Sequence, residues 1–464
     1  MKVLVVGWGR SSFNSGGSVL FTERYMNVLL KKGIIVHYLF TGKYDLSGKI
    51  HYKQYRKNNI TYTSLYNAPL TSHDFSDLSD ECHNHKIEQI FEKILIRLKP
   101  DVVHVTQIFT WPISILRIVN EHRIPLVMTI LDFKILCPYT LSYDVHRGKC
   151  KLNLLEKCNN CVKDKMKKYD RRLRNLMYRN YISKYVDVLL VPTHVAKTIL
   201  VRNGFDRNKI QILLEPALSL TVVNPEKHDA VHLGFLAGVF NEEKGFPFLY
   251  RTFVKYFADD NRLKLFVYGC QEELLKRFMQ YIPSNVLIKP RFNDATIKQV
   301  FNEIDAVIIP STIPDSAPHT LIQAFYCRKP VVISSTISMA SLVQNGRNGF
   351  IFKNRSKKSL RTCLEKLVKH PDLLQKTIRN APDIMTFEQY TQKLIAVFKK
   401  LINNGCERIT EQTINEFTPH KWLNLFKGLT ACDLIKFKNI LFRNVKKSIN
   451  KKDKIIVYGL SFLL

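Results

Sequence analysis

Short β-rich runs alternate with amphipathic stretches along most of this chain, and the alternation is played through twice. Residues 3–6, 35–39, 102–105, 126–130 and 188–191 form the first set of runs, and residues 232–236, 263–268, 286–288, 306–309 and 331–334 the second. Helical periodicity fills the gaps, for example over residues 19–30 and 246–256. Runs that are apolar on both faces and joined by helices build a parallel sheet covered on both sides. Two sets in 464 residues predict two doubly wound α/β domains, each with its ligand-binding edge at the carboxyl ends of its strands. The boundaries read as 1–214 for the first domain and 215–386 for the second. A late helix, 387–402, returns to brace the first domain, and 404–464 is a basic amphipathic extension.

An apolar content of 45% is that of a folded chain and excludes a disordered one. The start, residues 1–7, reads as a buried strand and not a secretory signal, and no run of about 18 apolar residues predicts a membrane span. A cytoplasmic protein is expected. The formal net charge of +32 calls for an acidic partner or surface. Residues 163–184 carry Lys167, Lys168, Arg171, Arg172 and Arg174 among Met166, Tyr169, Leu176, Met177 and Tyr181, which suits a helix lying on anionic lipid. A solvated basic helix is the other reading. Nucleic acid is excluded as a partner for want of any recognised binding signature. The extension, with Trp422, Phe426, Phe437 and Phe442 among lysines, fits either an interfacial helix or a face packed on the second domain.

Ten cysteines in a cytoplasmic chain are thiols or metal ligands before they are disulfides. Cys158 and Cys161 have the two-residue gap that lets both sulfurs reach one tetrahedral ion, and Cys137 and Cys150 would complete a structural zinc site. Four reduced cysteines are the alternative.

The chemistry-bearing residues sit where strands end. After residues 306–309 come Asp315, Ser316, Ala317, Pro318, His319 and Thr320, then Gln323 inside a helix. A helix start presents N–H groups and a positive dipole end to a phosphate. Gly16 and Gly17 open the helix after the first strand, where absent side chains let the backbone approach a diphosphate. Gly238 and Lys244 follow the first strand of the second domain, and a lysine ammonium there reaches a leaving phosphate. Each motif alone is also what a plain turn or an ordinary crossover would show.

Together, and in this order, the motifs resemble those of glycosyltransferase family 4 over about residues 1–403. The segments that carry the resemblance are Gly16-Gly17, residues 101–104, Leu131-Asp132-Phe133, Gly238 with Lys244-Gly245, Asp315 to Gln323, and residues 344–350. The resemblance implies the GT-B fold, two Rossmann-like domains facing across a cleft, and a retaining hexosyltransferase that needs no metal for catalysis. It implies a nucleoside-diphosphate sugar as donor and a lipid-linked or growing glycan as acceptor, in surface polysaccharide synthesis on the cytoplasmic membrane face. Asp315 would take donor-sugar hydroxyls, Gln323 the ribose, Lys244 the diphosphate, and Asp132 would stand near the reacting centre. Leu131 replaces a family histidine, Val239 a family arginine, and Asp315 and Gln323 two glutamates. Those departures define the alternative, a non-catalytic GT-B subunit that binds a partner enzyme or the membrane.

Overall fold

The computed structural model describes residues 1–11, 16–69, 78–108, 110–137, 165–221, 228–238, 240–269, 281–313, 318–336 and 340–404. Eight strands form the first sheet: β1 (Lys2–Trp8), β2 (Ile35–Lys43), β3 (His51–Lys57), β4 (Ile60–Tyr66), β5 (Val102–Val105), β6 (Leu126–Thr129), β7 (Val188–Val191) and β8 (Ile210–Ile212). Their order is β3-β4-β2-β1-β5-β6-β7-β8. The second sheet has β9 (Val231–Leu236), β10 (Leu263–Tyr268), β11 (Val286–Lys289), β12 (Ala306–Ile309), β13 (Val331–Ser334) and β14 (Phe350–Phe352), in the order β11-β10-β9-β12-β13-β14.

The second sheet is parallel throughout. The first is mixed, which corrects the all-parallel expectation: β3 runs antiparallel to β4. Asn58 and Asn59 form the two-residue turn between them with φ of 48° and 61°, the left-handed pair that a tight hairpin requires. β3 is polar and largely exposed, so no apolar run announced it, and its lysines and arginine blunt a sheet edge open to further pairing.

In each sheet the chain reverses direction of travel at one strand. β1 lies between β2 and β5, and β9 lies between β10 and β12. Crevices open beyond the carboxyl ends of such strand pairs. The four loops that follow β1, β5, β9 and β12 therefore line whatever cleft the molecule has.

The domains are fastened by buried apolar surface. Phe387, Tyr390, Leu394 and Phe398 of the helix Phe387–Asn404 pack with Phe21, Tyr25 and Val5 in one core cluster of the first domain. Phe21 meets the Tyr390 ring edge-on at 5.4 Å between centroids. Arg24 of the helix Gly17–Lys31 reaches across to Asp294, Nε to Oδ2 at 3.1 Å.

The helix Lys165–Tyr185 turns its later residues inward. Arg174 and Asn175 are buried, Tyr178 and Ile182 fully so, and the Arg174 guanidinium pairs with buried Glu81. Met177 meets Cys82, and Tyr181 hydrogen-bonds His83. From residue 174 onward this apolar edge faces protein, so it is not the lipid-facing edge that the sequence suggested. The extension beyond Asn404 lies outside the described residues.

His104 on β5 is fully buried. Nδ1 lies 2.8 Å from the Tyr25 hydroxyl and Nε2 2.7 Å from Thr129 Oγ1. Burial pushes its pKa down to about 3, so the ring is a neutral core group. Because the folded value lies below the unfolded ~6.5, protons bind the unfolded chain preferentially as pH falls from about 6.5 towards 3. Stability should fall there by up to about 1.4 kcal/mol per pH unit from this residue. Urea unfolding of His104→Gln beside the parent at pH 7, 5.5 and 4.5 should show a shallower loss in the variant.

Candidate active site

The Lys244 turn is built by its neighbours. After β9 the chain forms a turn over 241–245 that leads into the helix Phe246–Phe257. Asn241 Oδ1 accepts the Lys244 N–H at 2.9 Å. Gly245 has φ 76°, and a Cβ there would lie 1.9 Å from the Pro310 carbonyl oxygen. Only glycine fits. Thr312, just past β12, donates its N–H to the Glu243 carbonyl at 2.8 Å and its hydroxyl to the Glu242 carbonyl at 2.8 Å. The loop after β9 is thus stitched to the loop after β12, and half-buried Lys244 is held beside the segment that leads to Asp315.

Asp315, Ser316 and Ala317 lie outside the described residues, as does Val239. Pro318 caps the helix His319–Tyr326 without a side-chain hydrogen bond, so its first N–H groups have no partner within the helix. Thr320 Oγ1 lies 3.4 Å from the Leu236 carbonyl at the end of β9, two residues before Gly238. Among the described residues, a Cβ on Gly238 would meet nothing within 4 Å.

The first domain brings its own helix start to the same place. Gly17 is the first residue of the helix Gly17–Lys31, and a Cβ there would lie 2.3 Å from Cδ2 of His319. Two helix N-termini, one from each domain, meet at this point. The spacing of Gly16 and Gly17 predicted a close backbone approach; at Gly17 the approaching group is the opposite domain's histidine.

Gln323 is 6% exposed. Its Oε1 accepts the Leu218 N–H at 2.8 Å and its Nε2 donates to the Leu218 carbonyl at 3.1 Å. The amide reproduces a backbone pairing and ties this helix to the interdomain linker. A ribose hydroxyl at Gln323 would have to share that amide with Leu218.

On the first-domain side, a small recess is lined by Thr106, Gln107, Met128, Thr129, Asp132 and Lys134 among others. Asp132 Oδ1 accepts the Lys134 N–H at 2.8 Å, closing a turn over itself. Gln107, 8% exposed, has a buried side-chain oxygen with no hydrogen-bond partner among the described residues. An orphaned buried acceptor costs about 1–3 kcal/mol unless something donates to it. Cys137 is buried at the end of this segment as a thiol; Cys150, Cys158 and Cys161 lie outside the described residues.

Glu215 and Gln107 were not picked out from the sequence. Glu215 is an acid inside the apolar linker run, 3% exposed at its side chain, with Oε2 3.1 Å from His319 Nε2. Its position just before Pro216 in an apolar stretch was the available signal. Gln107 carried none, since its meaning comes from the fold around it.

Comparison with solved structures decides the architecture. A cyanobacterial sucrose-phosphate synthase from Thermosynechococcus elongatus superposes with a TM-score of 0.64 at 12% identity, covering 87% of this chain and 99% of that one. HepE of Anabaena in complex with UDP and glucose gives 0.60 at 14%, covering 86% and 100%. The chain has the GT-B fold. The galactosyltransferase WaaB of the lipopolysaccharide outer core, in its apo form, gives 0.53 at 14%, covering 86% and 100%. Residues 226–383, which hold the GT-B second domain, match the model of the family Glycosyl transferases group 1. No curated protein matches this sequence. Among the described residues no helix is long and apolar enough to cross a membrane.

Proposed function

We propose that this protein is a retaining glycosyltransferase, family 4-like, that moves a hexose from a nucleoside-diphosphate sugar to a lipid-linked or growing glycan. The observation that carries the reading is the meeting of two helix N-termini, at Gly17 and His319, beside the stitched Lys244 turn. The positive dipole ends of two helices, with a lysine on the loop after the neighbouring strand, suit the charge of a diphosphate leaving group. The group 1 family match over the second domain and the UDP-bound neighbour support it.

In this reading the bond from the sugar's anomeric carbon to the diphosphate oxygen breaks, and the diphosphate leaves with the electron pair. Lys244 and the start of the helix His319–Tyr326 stabilise the charge that develops on it. The acceptor hydroxyl attacks the same face of the anomeric carbon, and its proton passes to the departing phosphate oxygen. Asp315 would hold the sugar hydroxyls. The recess with Gln107 and Asp132 supplies hydrogen-bond acceptors on the acceptor side, and the setting is the cytoplasmic membrane face.

A panel of UDP, GDP, ADP and TDP and their sugars, added to the purified full chain, tests this. One nucleotide class should raise the melting temperature, since a ligand at a hundred times its Kd stabilises by about 2.7 kcal/mol. No shift with any nucleotide would sink the reading. The pairing of Gln323 with Leu218 favours a second one, a non-catalytic GT-B subunit, in which nucleotide binding is absent and remains absent in Gln323→Glu.

A further inference from the structure

A separate group of ligand-type side chains lies at the opposite end of the strands from the cleft. His232 is the second residue of β9, and Asp305 immediately precedes β12. Four residues at about 3.3 Å each place His232 roughly 13 Å from the cleft end of its strand. His228 sits just before β9, with Nδ1 3.0 Å from Asp305 Oδ1. His232 Nδ1 lies 3.0 Å from the Glu303 carbonyl oxygen. The two rings stack with centroids 3.9 Å apart, and one ligand atom from each of the three residues lies within 4.8 Å of the others.

We propose that His228, His232 and Asp305 bind a divalent transition ion of the zinc type. Two imidazoles and a carboxylate are a donor set that such ions favour. The Glu303 carbonyl can only accept, so His232 keeps its proton on Nδ1 and its lone pair on Nε2. Metal-bound histidines are oriented in this way, with the far nitrogen donating to a carbonyl or carboxylate. Asp305 is fixed from its other oxygen, Oδ2, which accepts the His232 backbone N–H at 2.8 Å.

The 3.0 Å between His228 Nδ1 and Asp305 Oδ1 is close to the roughly 3.3 Å that separates two ligands on a tetrahedral ion with bonds of about 2.0–2.1 Å. The ion takes the place of the hydrogen between these atoms, and a ligand atom of His232 lies within 4.8 Å of both. Ion and protons compete for the same ligand atoms, so affinity weakens as pH falls. With side-chain exposures of 12% for His228 and 20% for Asp305, the site is partly desolvated but open to solvent. Lys264 and Lys329 are cations facing the group, which holds the affinity below that of a closed four-thiolate site. A bound ion fastens the chain entering the second domain to the base of β12.

The full chain, stripped with a chelator, is titrated with Zn²⁺ by calorimetry beside His228→Gln/His232→Gln. The Gln amides can still hydrogen-bond, and an unchanged metal-free melting temperature verifies the variant's fold. The parent should bind one more equivalent than the variant, and Zn²⁺ should raise the melting temperature further in the parent. Any zinc held by cysteines is common to both proteins and cancels. With Co²⁺, the difference between the two should be a visible ligand-field spectrum without a thiolate charge-transfer band. Equal stoichiometry and affinity in parent and variant, including binding by neither, would overturn the proposal. Nucleotide-induced stabilisation should persist in the variant, which separates this site from the glycosyl-transfer reading.

Discussion

Lys244→Ala should lower kcat by about 10²–10³, the effect of removing one preorganised group from a developing negative charge. The melting temperature should stay close to that of the parent, because Asn241, Thr312 and Gly245 hold the turn's backbone. KM for the donor should change less than kcat, since charge builds on the leaving diphosphate in the transition state. Steady-state kinetics with the donor found by the nucleotide panel measures both. An equal rise in KM with kcat untouched would assign Lys244 to ground-state binding alone.

Gly245→Ala is expected to be the most damaging single methyl in the cleft. The residue has φ 76°, and the new carbon would sit 1.9 Å from a backbone oxygen that cannot rotate away. Left-handed strain and the forced backbone shift together cost about 3 kcal/mol. Pro310 lies on the segment stitched to residues 242 and 243, so the shift also displaces Lys244. Both stability and turnover should therefore fall. Gly33→Ala is the control: its φ is 71°, but nothing lies within 4 Å of the added carbon, so the strain alone remains, about 1 kcal/mol. Urea unfolding of the two variants should separate them by about 2 kcal/mol, and equal losses would remove the argument from Pro310.

The features of the candidate site that could be read in the sequence are local ones. A glycine pair at a helix start, a lysine before a glycine, and an acid-to-amide spacing after a strand are patterns within a few residues, and the two switch points gather their loops. What the sequence hid depends on long-range pairing. The polar β3 joined the sheet through an Asn58-Asn59 turn whose apolar signal is weak. Gln323 has the spacing of a ribose ligand, yet its amide faces Leu218, 105 positions away. Gly17 reads as room for a ligand and proves also to be room for His319. His104 stands on a strand end where a catalytic histidine would fit, and burial alone makes it a core residue.

The contact between Gly17 and His319 has an electrostatic consequence for how the two domains hold together. Each helix brings the positive end of its dipole to the same point, so with no anion between them the ends repel. Glu215 is the acid stationed there, buried in the linker and 3.1 Å from the imidazole. A diphosphate entering the cleft would bring a larger negative charge to the same spot and compete with the linker's carboxylate for it. In the proposed reaction, donor charge would act as a cohesive element between the domains, and departure of the product diphosphate would remove it. An occupied cleft would then be felt by both domains through the balance of like helix ends and the countercharge between them.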